Sequence, residues 1–228
     1  MSKLILVFDL DDTLYPERQF ALSGFAAAGR WAEAELGVRG LAVDMTRLLD
    51  GGHLGELFGI ALAGRLPNHT AEHLAGLIAA YRNHDPELSL FEDAAWALAH
   101  FAPLAKLALI TDGSHHVQAK KVMALGIDAH FREIVYTHAL GGRQFSKPHP
   151  RSYEMVEEAL GAPGDRLVYI GDNPSKDFIV PNQRGWASVM VRRPGFRRIH
   201  ASAQVAPGGA PHYTAASLRQ LPALLGLR

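Results

Sequence analysis

Apolar residues along the chain follow two rhythms. Lys3–Leu10, KLILVFDL, is a nearly unbroken apolar run rich in branched side chains, the pattern of a strand buried on both faces of a parallel sheet. Four later runs repeat it: KLALITDG (Lys106–Gly113), FREIVYT (Phe131–Thr137), DRLVYIGDN (Asp165–Asn173) and WASVMVRR (Trp186–Arg193). Between them the period becomes helical, in FEDAAWALAHFA (Phe91–Ala102), HVQAKKVMALG (His116–Gly126), RSYEMVEEALG (Arg151–Gly161) and a closing SLRQLPALLG (Ser217–Gly226). Strands that alternate with helices predict a doubly wound parallel α/β sheet.

One block breaks the alternation. From about Tyr15 to Leu90 the spacing is helical only, in FAAAGRWAEAEL (Phe25–Leu36), LGELFGIALAG (Leu54–Gly64) and TAEHLAGLIAAYRNH (Thr70–His84), punctuated by Gly51-Gly52 and Pro67-Asn68. Trp31, Phe58 and Tyr81 fall at core spacing, while His53, His69, His73 and His84 are expected to face solvent. Thr70 can cap a helix, but His73 stands where a full capping box needs Glu or Gln. The expected organisation is a Rossmann-like core of residues 1–14 and 92–228 with a small helical insert at 15–91.

The chain's 228 residues, 48% of them hydrophobic, suffice for one core plus a small insert. With 23 basic and 23 acidic residues the net charge is zero, which argues against a nucleic-acid polymer as partner. RRPGFRR (Arg192–Arg198) reads as a solvated basic loop. No cysteine is present, so disulfides, thiolate metal sites and cysteine nucleophiles are excluded. The first apolar run is too short for a signal peptide and no stretch spans a membrane, so a cytoplasmic protein, monomer or homodimer, is expected.

The chemistry collects where strands end, the edge at which open α/β sheets bind ligands. The first strand ends in Asp9, Asp11, Asp12 and Thr13; the second in Thr111, Asp112 and Gly113; the fourth in Gly171 and Asp172, with Asp177 close behind. Lys147 stands before a rigid proline between the third and fourth strands. Carboxylates crowded together repel, and a hard cation resolves the repulsion. Oxygen ligands without His or Cys favour Mg²⁺, which commonly binds phosphate as well. Lys147 offers a second positive charge and Thr111 a hydroxyl, so the site suits a phosphoryl group.

Four pieces in this order resemble the haloacid dehalogenase superfamily of aspartate-nucleophile phosphatases. They are Asp9-Leu10-Asp11-Asp12-Thr13, LALIT ending at Thr111, Lys147-Pro148, and Gly171-Asp172 through Asp177. The resemblance implies a magnesium-dependent hydrolase of small phosphorylated metabolites, such as nucleoside monophosphates or sugar phosphates. It makes Asp9 the nucleophile of an aspartyl-phosphate and Asp11 the general acid, then base. Thr111, Asp112 and Lys147 become phosphate binders, with Lys147 also holding Asp9. Asp9, the carbonyl of Asp11, and Asp172 hold the metal, supported by Asp177 and Thr13. The helical block takes the place of a C1-type cap, and DDTLYP resembles the branch with pyrimidine nucleotidases and sialic-acid phosphate phosphatases. Asp112 departs from the Asn that many members carry. Tyr15, Phe20 and His115 are further candidates for substrate contact. Competing readings are a phosphomutase, a dehalogenase (which needs no acid at position 11), a receiver module, and a non-catalytic phosphate-binding protein.

Overall fold

A computed structural model describes residues 3–161, 164–200 and 204–227. Contacts divide the chain into two compact units, Met1–Pro16 with Ser89–Arg228, and Glu17–Leu88.

The first unit is built on a six-stranded sheet in the order β3-β2-β1-β4-β5-β6. The strands are β1 (Leu4–Phe8), β2 (Lys106–Thr111), β3 (Glu133–Tyr136), β4 (Arg166–Gly171), β5 (Ala187–Val191) and β6 (Tyr213–Ala215), and every neighbouring pair is parallel. The all-parallel sheet explains the continuous apolar runs, since both faces of its central strands are covered. Ile5 to Phe8 are fully buried. Alternation sends Ile5 and Val7 to the face where Ala108, Ile110, Tyr153, Tyr169 and Trp186 pack.

From β1 the chain steps outward to β2 and β3, then returns to the other side of β1 with β4. That reversal beside β1 creates a crevice at the carboxyl edge. The register pairs Phe8 with Leu109 and with Ile170, and the Asp9 amide donates to Ile170 O at 2.9 Å. The ladder therefore carries Asp9 to the sheet edge alongside the ends of β2 and β4.

Two short elements go beyond the sequence expectation. β6, three residues long, and helix α8 (Ile179–Gln183; α1–α7 and α9 are given below) are too brief for any periodicity to reveal. The closing helix is only a 3-10 turn at Leu218–Gln220 followed by α9 (Leu221–Leu224).

The second unit consists of α1 (Glu17–Leu36), α2 (Leu41–Asp50), α3 (Leu57–Arg65) and α4 (Ala71–Asn83). Helices α1 and α4 approach closely: a Cβ at Gly76 would fall inside the Trp31 indole. Phe20, Phe25, Phe58, Tyr81 and His84 form an aromatic cluster with centroids 4.8–6.1 Å apart. Phe20 is buried within it, so its side chain serves this core. Two expectations about histidines change. Thr70 N donates to His73 Nδ1 and His73 N to Thr70 Oγ1, both at 3.2 Å, because an imidazole nitrogen accepts as a Gln oxygen would. His84 is half-buried, with Nδ1 2.6 Å from Tyr81 O and Nε2 2.8 Å from Ser23 Oγ. His53 is exposed.

The first unit contains the remaining long helices, α5 (Glu92–Phe101), α6 (His115–Leu125) and α7 (Arg151–Leu160). The end of β4 leaves no room for a side chain. A Cβ on Gly171 would lie 2.5 Å from Asp177 Oδ2 and 3.1 Å from the Tyr169 ring. Gly171→Ala should therefore cost about 1–3 kcal/mol, the penalty of overpacking a rigid site. A urea midpoint equal to wild type would show that the loop yields freely.

Candidate active site

Lys147 organises the carboxyl edge. Its ammonium donates to Asp9 Oδ1 at 2.6 Å and Tyr169 OH at 2.9 Å, and lies 2.8 Å from Asp177 Oδ1. Its side chain is 0% exposed, so these acceptors replace water entirely. Asp177 is fixed in turn, its Oδ2 accepting from Asn173 N at 2.9 Å.

Asp9, Asp172 and Asp177 each offer a carboxylate oxygen within 4.8 Å of one another, and all three are buried. Burial pushes the Asp9 carboxyl up to about 7; Lys147 and Lys176 pull against that rise and Asp177 adds to it. Asp172 is raised well above the ordinary range, first by burial and then by Asp177, Asp9 and Asp12, with Arg198 opposing. So much uncompensated negative charge, offered through oxygen alone, fits a hard divalent cation. Arg198 donates to the Asp172 carbonyl and to Oδ2 at 3.1 Å, leaving Oδ1 as the oxygen for a cation.

Asp11 lies apart from this cluster although only two residues separate it from Asp9. Tyr15 OH donates to Oδ1 at 2.5 Å, Lys121 Nζ to Oδ1 at 2.7 Å, and Gln118 Nε2 to Oδ2 at 2.9 Å. Burial alone would raise this carboxyl, but Lys121, Tyr15 and Gln118 outweigh it and hold Asp11 below its usual range. Tyr15 was expected at the substrate; it is instead fully buried as the support of Asp11. Gln118 also donates to Thr111 Oγ1 at 2.5 Å, which leaves the threonine hydroxyl its own hydrogen to give.

Asp112 was expected to bind phosphate. Its carboxylate is committed elsewhere: Oδ1 accepts from Thr137 Oγ1 at 2.9 Å and Lys147 N at 3.0 Å, and Oδ2 from Lys176 Nζ at 2.7 Å. Burial works against ionisation, yet Lys147 and Lys176 bring the carboxyl down from 3.8 to about 2. The carboxylate is negatively charged and engaged by these three partners, an arrangement that opposes direct contact with a phosphate. The departure from Asn is matched by Lys176, which supplies the compensating charge.

RRPGFRR does not behave as a solvated loop. Arg193 is paired with Asp93 at 3.0 Å, donates to Thr13 O at 2.9 Å and Asp12 O at 3.4 Å, and stacks 3.8 Å above the Phe91 ring. Ile199 N donates to Asp12 Oδ2 at 2.9 Å. The segment thus clamps the loop after β1, where Asp12 takes a left-handed backbone (φ 54°) that costs a non-glycine residue about 1 kcal/mol or more. Thr13, expected to support the metal, is fully buried on this loop, and its hydroxyl has no hydrogen-bond partner among the described residues. His115 is exposed at the start of α6, its ring 4.7 Å from that of Tyr136.

A family model, haloacid dehalogenase-like hydrolase, matches residues 4–179, and a second, HAD-hydrolase-like, matches 144–221. The chain belongs to the haloacid dehalogenase-like hydrolases. It is 28% identical over 206 residues to glyceraldehyde 3-phosphate phosphatase of Methanopyrus kandleri, covering 85% of each chain. It is 30% identical over 141 residues to human N-acylneuraminate-9-phosphatase, covering 60% of this chain and 52% of that one. Among solved structures, L-2-haloacid dehalogenase from Xanthobacter autotrophicus superposes with a TM-score of 0.59 at 24% identity over 100% of both chains, a likeness of fold.

The depressed Asp112 carboxyl has a stability consequence. A carboxyl whose folded value lies below its unfolded one stabilises fully above the unfolded value, and that stabilisation disappears as pH falls through the folded one. The shift corresponds to about 2 kcal/mol, present above roughly pH 4 and lost toward roughly pH 2. Asp112→Asn should lose about that much at neutral pH, with the gap to wild type closing in acid. Urea unfolding at both pH values checks it; a gap indifferent to acid would remove the charge of Asp112 from the explanation.

Proposed function

We propose that this hydrolase is a magnesium-dependent phosphatase of small phosphorylated metabolites, working through an aspartyl-phosphate on Asp9. The observation that carries the reading is the separation of Asp9 and Asp11. Two carboxylates two residues apart stand in opposite environments, one in a cation-seeking cluster and one held by hydrogen-bond donors. Environments that push paired carboxyls apart are how acid–base labour is divided.

Asp9, Asp172 and Asp177 would hold the metal, with the Asp11 carbonyl as the further ligand expected from the sequence. Bound Mg²⁺ supplies charge that lets one anion approach another. Lys147 orients Asp9 and opposes the rise that burial imposes on its carboxyl, favouring the carboxylate needed for attack on phosphorus. Thr111 has a hydroxyl hydrogen to give to a phosphoryl oxygen. Asp11, held below its usual range by Lys121, Tyr15 and Gln118, is the base that takes a proton from water in the second half-reaction. In the first half-reaction the same carboxyl would give a proton to the leaving oxygen. A dehalogenase has no leaving oxygen to protonate, so the elaborate support of Asp11 favours the phosphatase. The four-helix unit, residues 17–88, would carry substrate selectivity.

Two experiments test this. Phosphate release from a panel of phosphomonoesters should require Mg²⁺ and vanish in Asp9→Asn; an Asp9→Asn protein that keeps most of its turnover would refute the mechanism. Turnover that depends on a sugar bisphosphate would move the assignment to a mutase. Lys121→Met should raise the Asp11 pKa, since the cation that offsets burial is gone, and the limb of the pH–rate profile that belongs to Asp11 should move to higher pH. A limb that stays in place would separate Asp11 from that ionisation.

A further inference from the structure

A primary amide has two hydrogens to give, and an ionised carboxylate can only accept. Gln118 gives both of its hydrogens at the carboxyl edge. Its Nε2 donates to Asp11 Oδ2 at 2.9 Å and to Thr111 Oγ1 at 2.5 Å. Asp11 stands on the loop after β1, and Thr111 ends β2. One amide therefore joins residues from two strands. The bond to Thr111 also sets a direction. An oxygen that accepts from Gln118 turns its own hydrogen away from that nitrogen, so the hydroxyl is left to donate elsewhere.

The amide is held in place. Gln118 is buried in the first turn of α6, where its backbone N donates to Ser114 O at 3.0 Å. The turn before the helix leaves its side chain room. Gly113 has φ 128°, and a Cβ there would lie 3.2 Å from both Gln118 Cγ and Cδ. Lys121, one turn further along α6, donates with Tyr15 to the other oxygen of Asp11. The Asp11 carboxylate is thus held at Oδ1 by those two and at Oδ2 by Gln118.

Resting on the phosphatase reading, we propose that Gln118 is a positioning residue for two parts of the reaction centre at once: it aims the Thr111 hydroxyl at the phosphoryl group and holds the Asp11 carboxyl for the leaving oxygen. It acts through these two residues rather than by touching substrate. It lies outside the four motif pieces, five residues past the strand end whose hydroxyl it directs.

Gln118→Met keeps the length and packing of the side chain and removes both hydrogens. Orthovanadate, measured by calorimetry with Mg²⁺ present, should bind it about 3- to 10-fold more weakly, the usual size of one lost hydrogen bond. That loss should run through Thr111. In a Thr111→Val background, where no hydroxyl remains to aim, Gln118→Met should change vanadate affinity by less than about 2-fold. The link to Asp11 reads in the leaving group. In single turnovers, Gln118→Met should slow an alkyl phosphate about 10-fold more than p-nitrophenyl phosphate, whose leaving oxygen needs no proton. Either readout unchanged in a folded Gln118→Met protein overturns the proposal, and so do vanadate losses that simply add in the double variant. Should Gln118→Met not fold, amide proton resonances of the wild-type chain decide: one Nε2 hydrogen of Gln118 should move in Thr111→Val and the other in Asp11→Asn, and a pair that neither variant moves overturns it. If wild type hydrolyses no phosphomonoester yet binds vanadate with this coupling of Gln118 to Thr111, the phosphatase reading fails and the positioning of Thr111 stands.

Discussion

A buried lysine among acids sets the terms for this active site. Lys147 sits at 0% exposure between Asp9, Asp177 and Tyr169. Neither it nor the carboxylates could be buried alone, because an isolated charge away from water costs far more than a domain's net stability. Each needs the others, and the sheet brings them together. β1 delivers Asp9, β4 delivers Asp172 and the loop with Asp177, and the segment before α7 delivers Lys147. The absence of a side chain on Gly171 follows from the same constraint, since the space beside Tyr169 is taken by the Asp177 carboxylate.

One lysine does not balance the edge. Asp177 raises Asp9, and Asp177, Asp9 and Asp12 together raise Asp172, with Lys176 and Arg198 opposing from the loops. Charges therefore come in local pairs: Lys147 with Asp9 and Asp177, Lys176 with Asp112, Lys121 with Asp11, Arg198 with Asp172, and Arg193 with Asp93. The pairing separates the two aspartates to which the proposed mechanism assigns catalysis. Asp9 remains where a cation is still wanted, while Asp11 has its needs met by donors from α6 and Tyr15.

Much of this was legible in the chain because three of the candidate residues stand at the ends of buried strands. Asp9, Thr111 and Asp172 stand where an apolar run stops, and a parallel sheet aligns such stops. The partners were hidden for a physical reason. Gln118 and Lys121 lie one helical turn apart on α6, where polar residues at that spacing look like a solvated face. Arg193 and Arg198 sit in a basic loop whose composition suits solvent, and only the acids they meet, Asp93 and Asp172, reveal burial. β6 and α8 are shorter than one period of the pattern that would betray them.

The same contrast explains why a motif can name a residue and miss its part. Lys147 is marked by its place before proline, and Asp112 by its place after Thr111, so both read as phosphate ligands. Position along the chain says which side chains reach the crevice, but not how many hydrogens they have left on arrival. Counted in three dimensions, the Lys147 ammonium has met Asp9 and Tyr169 and stands beside Asp177, and the Asp112 carboxylate has met Thr137, Lys176 and a backbone amide. The Thr111 hydroxyl, which accepts from Gln118, keeps its own hydrogen. What a side chain can still offer is a property of the assembled edge rather than of any one strand end.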